Sequence, residues 1–124
     1  MLIGAVSKQT GLSQKAIRLY EQQGLIRPQR IGRYRHFSAA DIDLLLLIRE
    51  ARALGIPLQR LKAAIRYQNQ QPDWSTLRTF LLQFRGEVEA EVMRQQQRLQ
   101  QLDHCLSSIS DCPLLPAEKY DAVL

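Results

Sequence analysis

The stretch LSQKAIRLYEQQGLI, Leu12 to Ile26, sits just after one glycine, Gly11, and contains another, Gly24. Ser13 is a good N-cap for a helix over QKAIRLYEQQ, because its hydroxyl can accept a bond from one of the helix's orphan N–H groups, and Gly24 supplies the stop. Within that helix Ala16, Ile17 and Leu19 can face a core, Gln14, Lys15, Arg18 and Glu21 face outward, and Tyr20 suits either side. Upstream, IGAVSKQTG carries Ile3, Ala5 and Val6 at near-helical spacing and ends at Thr10-Gly11. Two short helices joined by a glycine turn make a helix-turn-helix unit.

Downstream, LIRPQRIGRYRHF alternates arginines with Ile, Tyr and Phe and is punctuated by Pro28 and Gly32. This pattern predicts a small hairpin with Leu25-Ile26 and Tyr34 to Phe37 as its strands. Ser38, with Asp41 three residues on, has the form of a capping pair opening a third helix that closes at Gly55. Pro57 stands near the first turn of a fourth, where a missing N–H costs little. QNQQPD, with Asn69 inside it and Pro72 breaking it, reads as a linker. From about Trp74 to Ser110 a much longer helix is expected, with Leu77, Leu81, Phe84, Val88, Val92, Leu99, Leu102, Leu106 and Ile109 as its apolar stripe. Steps of three and four recur along it, as in a coiled-coil seam, and Gln95 is a polar gap. A stripe this narrow on a helix this long predicts pairing with a second copy.

Composition sets the bounds. The chain has 124 residues, 45% of them hydrophobic and 6% aromatic, which suits a small, mostly helical domain plus an appendage and excludes a large ligand-binding domain. Its longest apolar run, IDLLLLI, falls far short of the roughly 20 residues that span a bilayer. With a lysine at position 8 and no cleavage pattern, the start does not read as a secretion signal, so a cytoplasmic protein without a membrane partner is expected. Two cysteines are too few for a disulfide scaffold. Residues 1–66 hold 12 Lys and Arg against 4 Asp and Glu; residues 67–124 hold 5 against 8. A segregated basic half implies a polyanionic partner, since neutralising phosphates releases condensed counterions.

With those features in order, the chain resembles the MerR family of bacterial transcription regulators along nearly its whole length. IGAVSKQTGLSQKAIRLYEQQGLIRPQR is similar to the family's opening helix-turn-helix, with Leu19-Tyr20-Glu21 at the position of its aromatic-Tyr-Glu triplet. RYRHFSAADIDLLLLIREARALGIPL is similar to its wing strand and following helix pair, although Gly32-Arg33 stands where relatives often have Asn-Gly. The resemblance implies a mainly α fold: a winged helix-turn-helix DNA-binding domain over residues 1–70, a long antiparallel coiled-coil dimerisation helix over 71–111, and a tail over 112–124. It implies a homodimer on double-stranded promoter DNA that distorts an overlong spacer to realign the RNA polymerase elements, an activator driven by an effector.

On that reading Ser13, Lys15, Arg18 and Tyr20 of the recognition helix and Arg33, Tyr34 and Arg35 of the wing are the expected DNA-binding residues. Arg18 suits a bidentate contact to guanine and Lys15 a phosphate or a base. Tyr20 and the three wing residues suit backbone phosphates, although both tyrosines could instead serve the core. The effector is expected at Cys105 and Cys112, as a metal ion held by thiolates or a thiol-reactive species. Cys112-Pro113 resembles the first loop cysteine of copper-type sensors, but the second is absent, and about Arg78 occupies the position where sensors carry Cys or Ser. A regulator sensing a non-covalent small molecule is the alternative, a coiled-coil adaptor a further one. An enzyme is not expected, because no phosphate loop, metal-hydrolase helix or Ser, His and Asp set is present.

Overall fold

The protein is described here by a computed structural model in which residues 1–110 are placed. A first compact unit, Met1–Leu81, carries five helices or helix starts and two small hairpins; a second begins at Leu82. The elements run α1 (Ile3–Thr10), α2 (Gln14–Gln22), β1 (Gln29–Ile31), β2 (Tyr34–His36), α3 (Ala39–Ala53), α4 (Leu58–Ala64), β3 (Tyr67–Gln68), β4 (Gln71–Pro72) and α5 (Trp74–Ser110). A mainly α winged helix-turn-helix followed by a long helix is the architecture the resemblance implied.

Local chemistry sets the element ends. Gly11, at φ 77°, closes α1, and the Ser13 hydroxyl accepts from the Ala16 N–H at 3.0 Å to open α2. At α3 the capping box is complete: the Ser38 hydroxyl accepts from Asp41 N–H at 3.1 Å, and the Asp41 carboxylate accepts from Ser38 N–H at 2.8 Å. Asp41 is buried, and its place is explained by that bond. Asp73 caps α5 through the backbone N–H and the hydroxyl of Thr76, and these bonds hold its carboxyl below the usual range.

The core of the first unit is built from Val6, Ile17, Leu25, Ile26, Leu44, Leu45, Ile48, Ile56 and Leu61, each with almost no exposed surface. Four sequence expectations are corrected by it. Leu25 and Ile26 are buried side by side in the loop after α2, and the first wing strand is Gln29–Ile31; a strand alternates faces, so two adjacent buried residues do not belong to an exposed hairpin. Leu19 points outward and Tyr20 inward, because Tyr20, three residues after Ile17, shares its face while Leu19 lies across the helix. The QNQQPD segment is not a linker but an ordered hairpin, β3 pairing antiparallel with β4, with Tyr67 opposite Pro72 and Gln68 opposite Gln71. Its turn residues Asn69 and Gln70 both have positive φ, 52° and 65°, the pattern of a type I′ turn whose twist matches its strands. Finally, Leu77 is part of the first unit's core, so the stripe left exposed on α5 consists of Val88, Val92, Leu99, Leu102 and Leu106.

Candidate nucleic-acid interface

Between α1 and α2 the turn is held from several sides. The Thr10 hydroxyl donates to Val6 O at 2.8 Å and accepts from Leu12 N–H at 3.2 Å, while the Ser7 hydroxyl donates to Leu12 O at 2.6 Å. From α3, Arg49 donates to Thr10 O at 2.5 Å, satisfying a carbonyl that the helix end leaves open. A turn bonded this fully gives α2 a fixed direction relative to α1 and α3.

On α2 the outward face carries Gln14, Lys15, Arg18 and Leu19. Arg18 donates to Gln14 Oε1 at 3.2 Å, an exposed contact of one helical turn that leaves the guanidinium accessible. Ser13, also exposed, spends its oxygen on the cap, though a hydroxyl has a second lone pair and a proton to offer. Tyr20 is pulled into the core, which removes its ring from the open face where sequence reasoning had put a phosphate contact.

The hairpin of β1 and β2 is joined by Gly32-Arg33 alone, with Ile31 opposite Tyr34. Gly32 takes φ 64° at the first turn position and Arg33 does not share the positive φ, as in type II′ hairpins, so the departure from Asn-Gly keeps the turn tight. Tyr34 is 63% exposed and is not a core residue. Arg33 makes no ion pair among the described residues. Arg35 does: its Nε donates to Glu21 Oε1 at 2.6 Å, and Arg30 Nη2 lies 3.6 Å from the same oxygen.

This geometry, a rigid helix-turn-helix with a basic open face beside a basic two-stranded wing, can be compared with known proteins. The profile of the family described as MerR HTH family regulatory protein matches residues 1–68. The chain belongs to the MerR family. Similar MerR relatives include the HTH-type transcriptional regulator HmrR of Sinorhizobium medicae, 32% identical over 93% of this chain and 84% of that protein. The HTH-type transcriptional regulator CueR of Vibrio cholerae serotype O1 is 32% identical over 93% and 88%. The Heavy metal-dependent transcription regulator 2 of Rhizobium meliloti is 30% identical over 93% and 84%. Among solved structures, a chain described as a MerR family transcriptional regulator from Listeria monocytogenes superposes with a TM-score of 0.61 at 27% identity, covering 97% of this chain and 92% of that one. As in these MerR proteins, the present chain is a DNA-binding transcription regulator.

Two features of the MerR domain were not singled out from the sequence. Tyr67, on the second hairpin, donates its hydroxyl to Leu25 O at 3.1 Å, and the Arg27 guanidinium lies 4.2 Å above its ring. It pins the loop between α2 and the wing from 42 residues away, and no local sequence signal announces such a bond. In the sequence Glu21 is an outward-facing residue and the last of the Leu19-Tyr20-Glu21 triplet, and neither reading points to the wing it receives; its spacing from Arg35 carries no periodicity that could reveal this.

Of the expected effector residues, Cys105 is an exposed free thiol on α5. It borders a groove with Gln97, Gln100, Gln101 and His104. Cys112 lies outside the described residues. Consecutive helix positions diverge by about 100°, so His104 and Cys105 leave the helix in different directions although both border the groove. Among the described residues no three His, Cys, Asp or Glu side chains gather where a metal could be held. Those residues alone do not fit a metal centre. Nor is any helix among them long and apolar enough to cross a membrane.

Proposed function

We propose that this chain is a cytoplasmic, homodimeric, effector-responsive promoter regulator that reads duplex DNA with α2 and grips the backbone with the wing. The observation that carries the reading is the open face of α2, Lys15 and Arg18, beside a tight wing whose tip, Arg33-Tyr34, is exposed. Arg18 faces base edges in the major groove, where guanidinium pairs with guanine; Lys15 takes a base or phosphate; Ser13, Arg33 and Tyr34 contact phosphates. Two copies paired along α5 would present two such units to a two-fold operator, and the family resemblance supports distortion of an overlong spacer in concert with RNA polymerase.

Arg18→Ala is expected to flatten discrimination between a duplex selected from a random pool and a scrambled one, at a cost of about 1–3 kcal/mol on the selected duplex alone. Electrophoretic mobility titrations with both duplexes test it, and an equal loss on the two would show that Arg18 does not read bases.

The response is proposed to run through Cys112, which precedes Pro113 in the sequence. The metal dependence named for the Rhizobium meliloti relative supports a metal or thiol-reactive effector. The scarcity of converging donors among the described residues favours, as second reading, a small molecule held without a covalent bond. In a promoter-reporter assay across metal salts and thiol-reactive compounds, Cys112→Ser is expected to abolish induction and preserve DNA binding. Full induction of that variant would decide for the second reading.

A further inference from the structure

Arg30 and Arg35 face each other directly across the wing, a pairing of like charges that by itself weakens a hairpin. Glu21 of α2 stands against both. Its Oε1 accepts from Arg35 Nε at 2.6 Å and lies 3.6 Å from Arg30 Nη2, so one carboxylate relieves the repulsion within the hairpin and ties that hairpin to the recognition helix. The side chains of Glu21 and Arg35 are 18% and 25% exposed, whereas that of Arg30 is 57% exposed. A charge-assisted bond with that little water around it holds geometry better than a surface pair does. Yet the carboxylate belongs to the same nine-residue helix as Lys15 and Arg18, on a surface meant for phosphates. A negative charge there opposes DNA binding unless it serves something else.

We infer that Glu21 is a positioning residue for discrimination between DNA sequences: it fixes the wing against α2 and withholds the charge of Arg35, and part of that of Arg30, from the phosphate backbone. The inference rests on the reading of α2 and the wing as the DNA interface. Phosphate contacts add affinity for every duplex alike, so cations held by Glu21 lower sequence-independent binding, while the tie between the wing and α2 holds Arg18 in the register from which it selects. Arg30, too far from Glu21 for a hydrogen bond and largely exposed, is the member of the pair free to turn to a phosphate once the wing is seated.

The test is Glu21→Gln in the full chain, titrated against the selected and the scrambled duplex between roughly 50 and 200 mM salt. Scrambled-duplex affinity is expected to rise, its salt slope to steepen by about one to two units as one or both arginines are released, and the ratio of selected to scrambled binding to fall about tenfold. Glu21→Asp, which keeps the charge on a shorter arm, is expected to fall between wild type and Glu21→Gln. Arg35→Gln removes the cation with the tie, so it is expected to lower discrimination without raising scrambled-duplex affinity. If Glu21→Gln and Arg35→Gln weaken both duplexes in the same proportion, the pair only supports the fold and the inference is overturned. Arg33→Ala separates the two readings. If it lowers the salt slope by about one unit while Glu21→Gln leaves the slope unchanged, Glu21 alone has been misjudged. If Arg33→Ala has no effect on the slope, the interface assignment falls and this inference with it.

Discussion

Tyr67 shows how much one side chain can do between distant parts of the chain. Partial burial pushes its phenol up to about 12, the negative charge of Asp41 pushes the same way, and Arg27 above the ring works against both. The folded state therefore holds the proton more tightly than an unfolded tyrosine, whose ordinary value is 10.0. Below that value both states are protonated and the contribution to stability is complete; between about pH 10 and 12 the unfolded chain ionises first and the contribution is lost. Urea denaturation at a series of pH values should show the wild-type midpoint falling in that window more steeply than that of Tyr67→Phe. At neutral pH the same variant should be less stable by about 1 kcal/mol, the usual worth of a hydrogen bond. Equal alkaline slopes for the two proteins would mean that Tyr67 does not carry this effect. Nothing near position 67 in the sequence foretells the bond to Leu25. Ser38 with Asp41 was legible for the opposite reason, since a capping box closes within four residues.

At the scale of elements, helices were readable and hairpins only partly so. The ends of α1, α2 and α3 follow from Gly11, Ser13, Gly24, Ser38 and Gly55, each acting on its immediate neighbours. The wing was placed too early because its strands have no buried face: Gln29, Arg30 and Ile31 are all exposed, so period-two alternation never arises, while Leu25-Ile26 supplied a false apolar run. The second hairpin failed differently. Gln, Asn and Pro in succession have the composition of a linker, and only backbone conformation tells a linker from a two-residue turn. Here Asn69 tolerates positive φ through its short polar side chain, and Gln70 adopts it against its preference. The recognition helix was legible in its basic face and misread at Leu19, which helical angle turns outward, while Tyr20, open to either side in the sequence, turns inward. The exposed charge at Lys15 and Arg18 could be read from sequence; the diversion of Arg35 to Glu21 could not, because it needs the hairpin folded back on the helix.

For the molecule as a whole, the second unit poses the plainest problem of exposure. Val88, Val92, Leu99, Leu102 and Leu106 are each about half or more exposed in the single chain, along a helix of 37 residues. Its polar face is laced by Arg85 with Glu89 and by Glu91 with Arg94 and Gln95, which hold the Glu91 carboxyl below its usual range. Covering the stripe with a second α5 returns about 25 cal/mol for each Å² of apolar surface removed from water. Leu102→Glu is expected to turn a dimer into a monomer in light scattering at micromolar concentration, and to abolish the rise of the wild-type melting temperature with protein concentration. A wild-type chain that scatters as a monomer would leave the stripe without its proposed partner. On the proposed pairing the apolar row is covered only where two chains meet, and abundance becomes a control variable in its own right. Where chains are scarce, the paired fraction declines with dilution, so a growing cell that stops making this regulator would lose working pairs faster than it loses polypeptide.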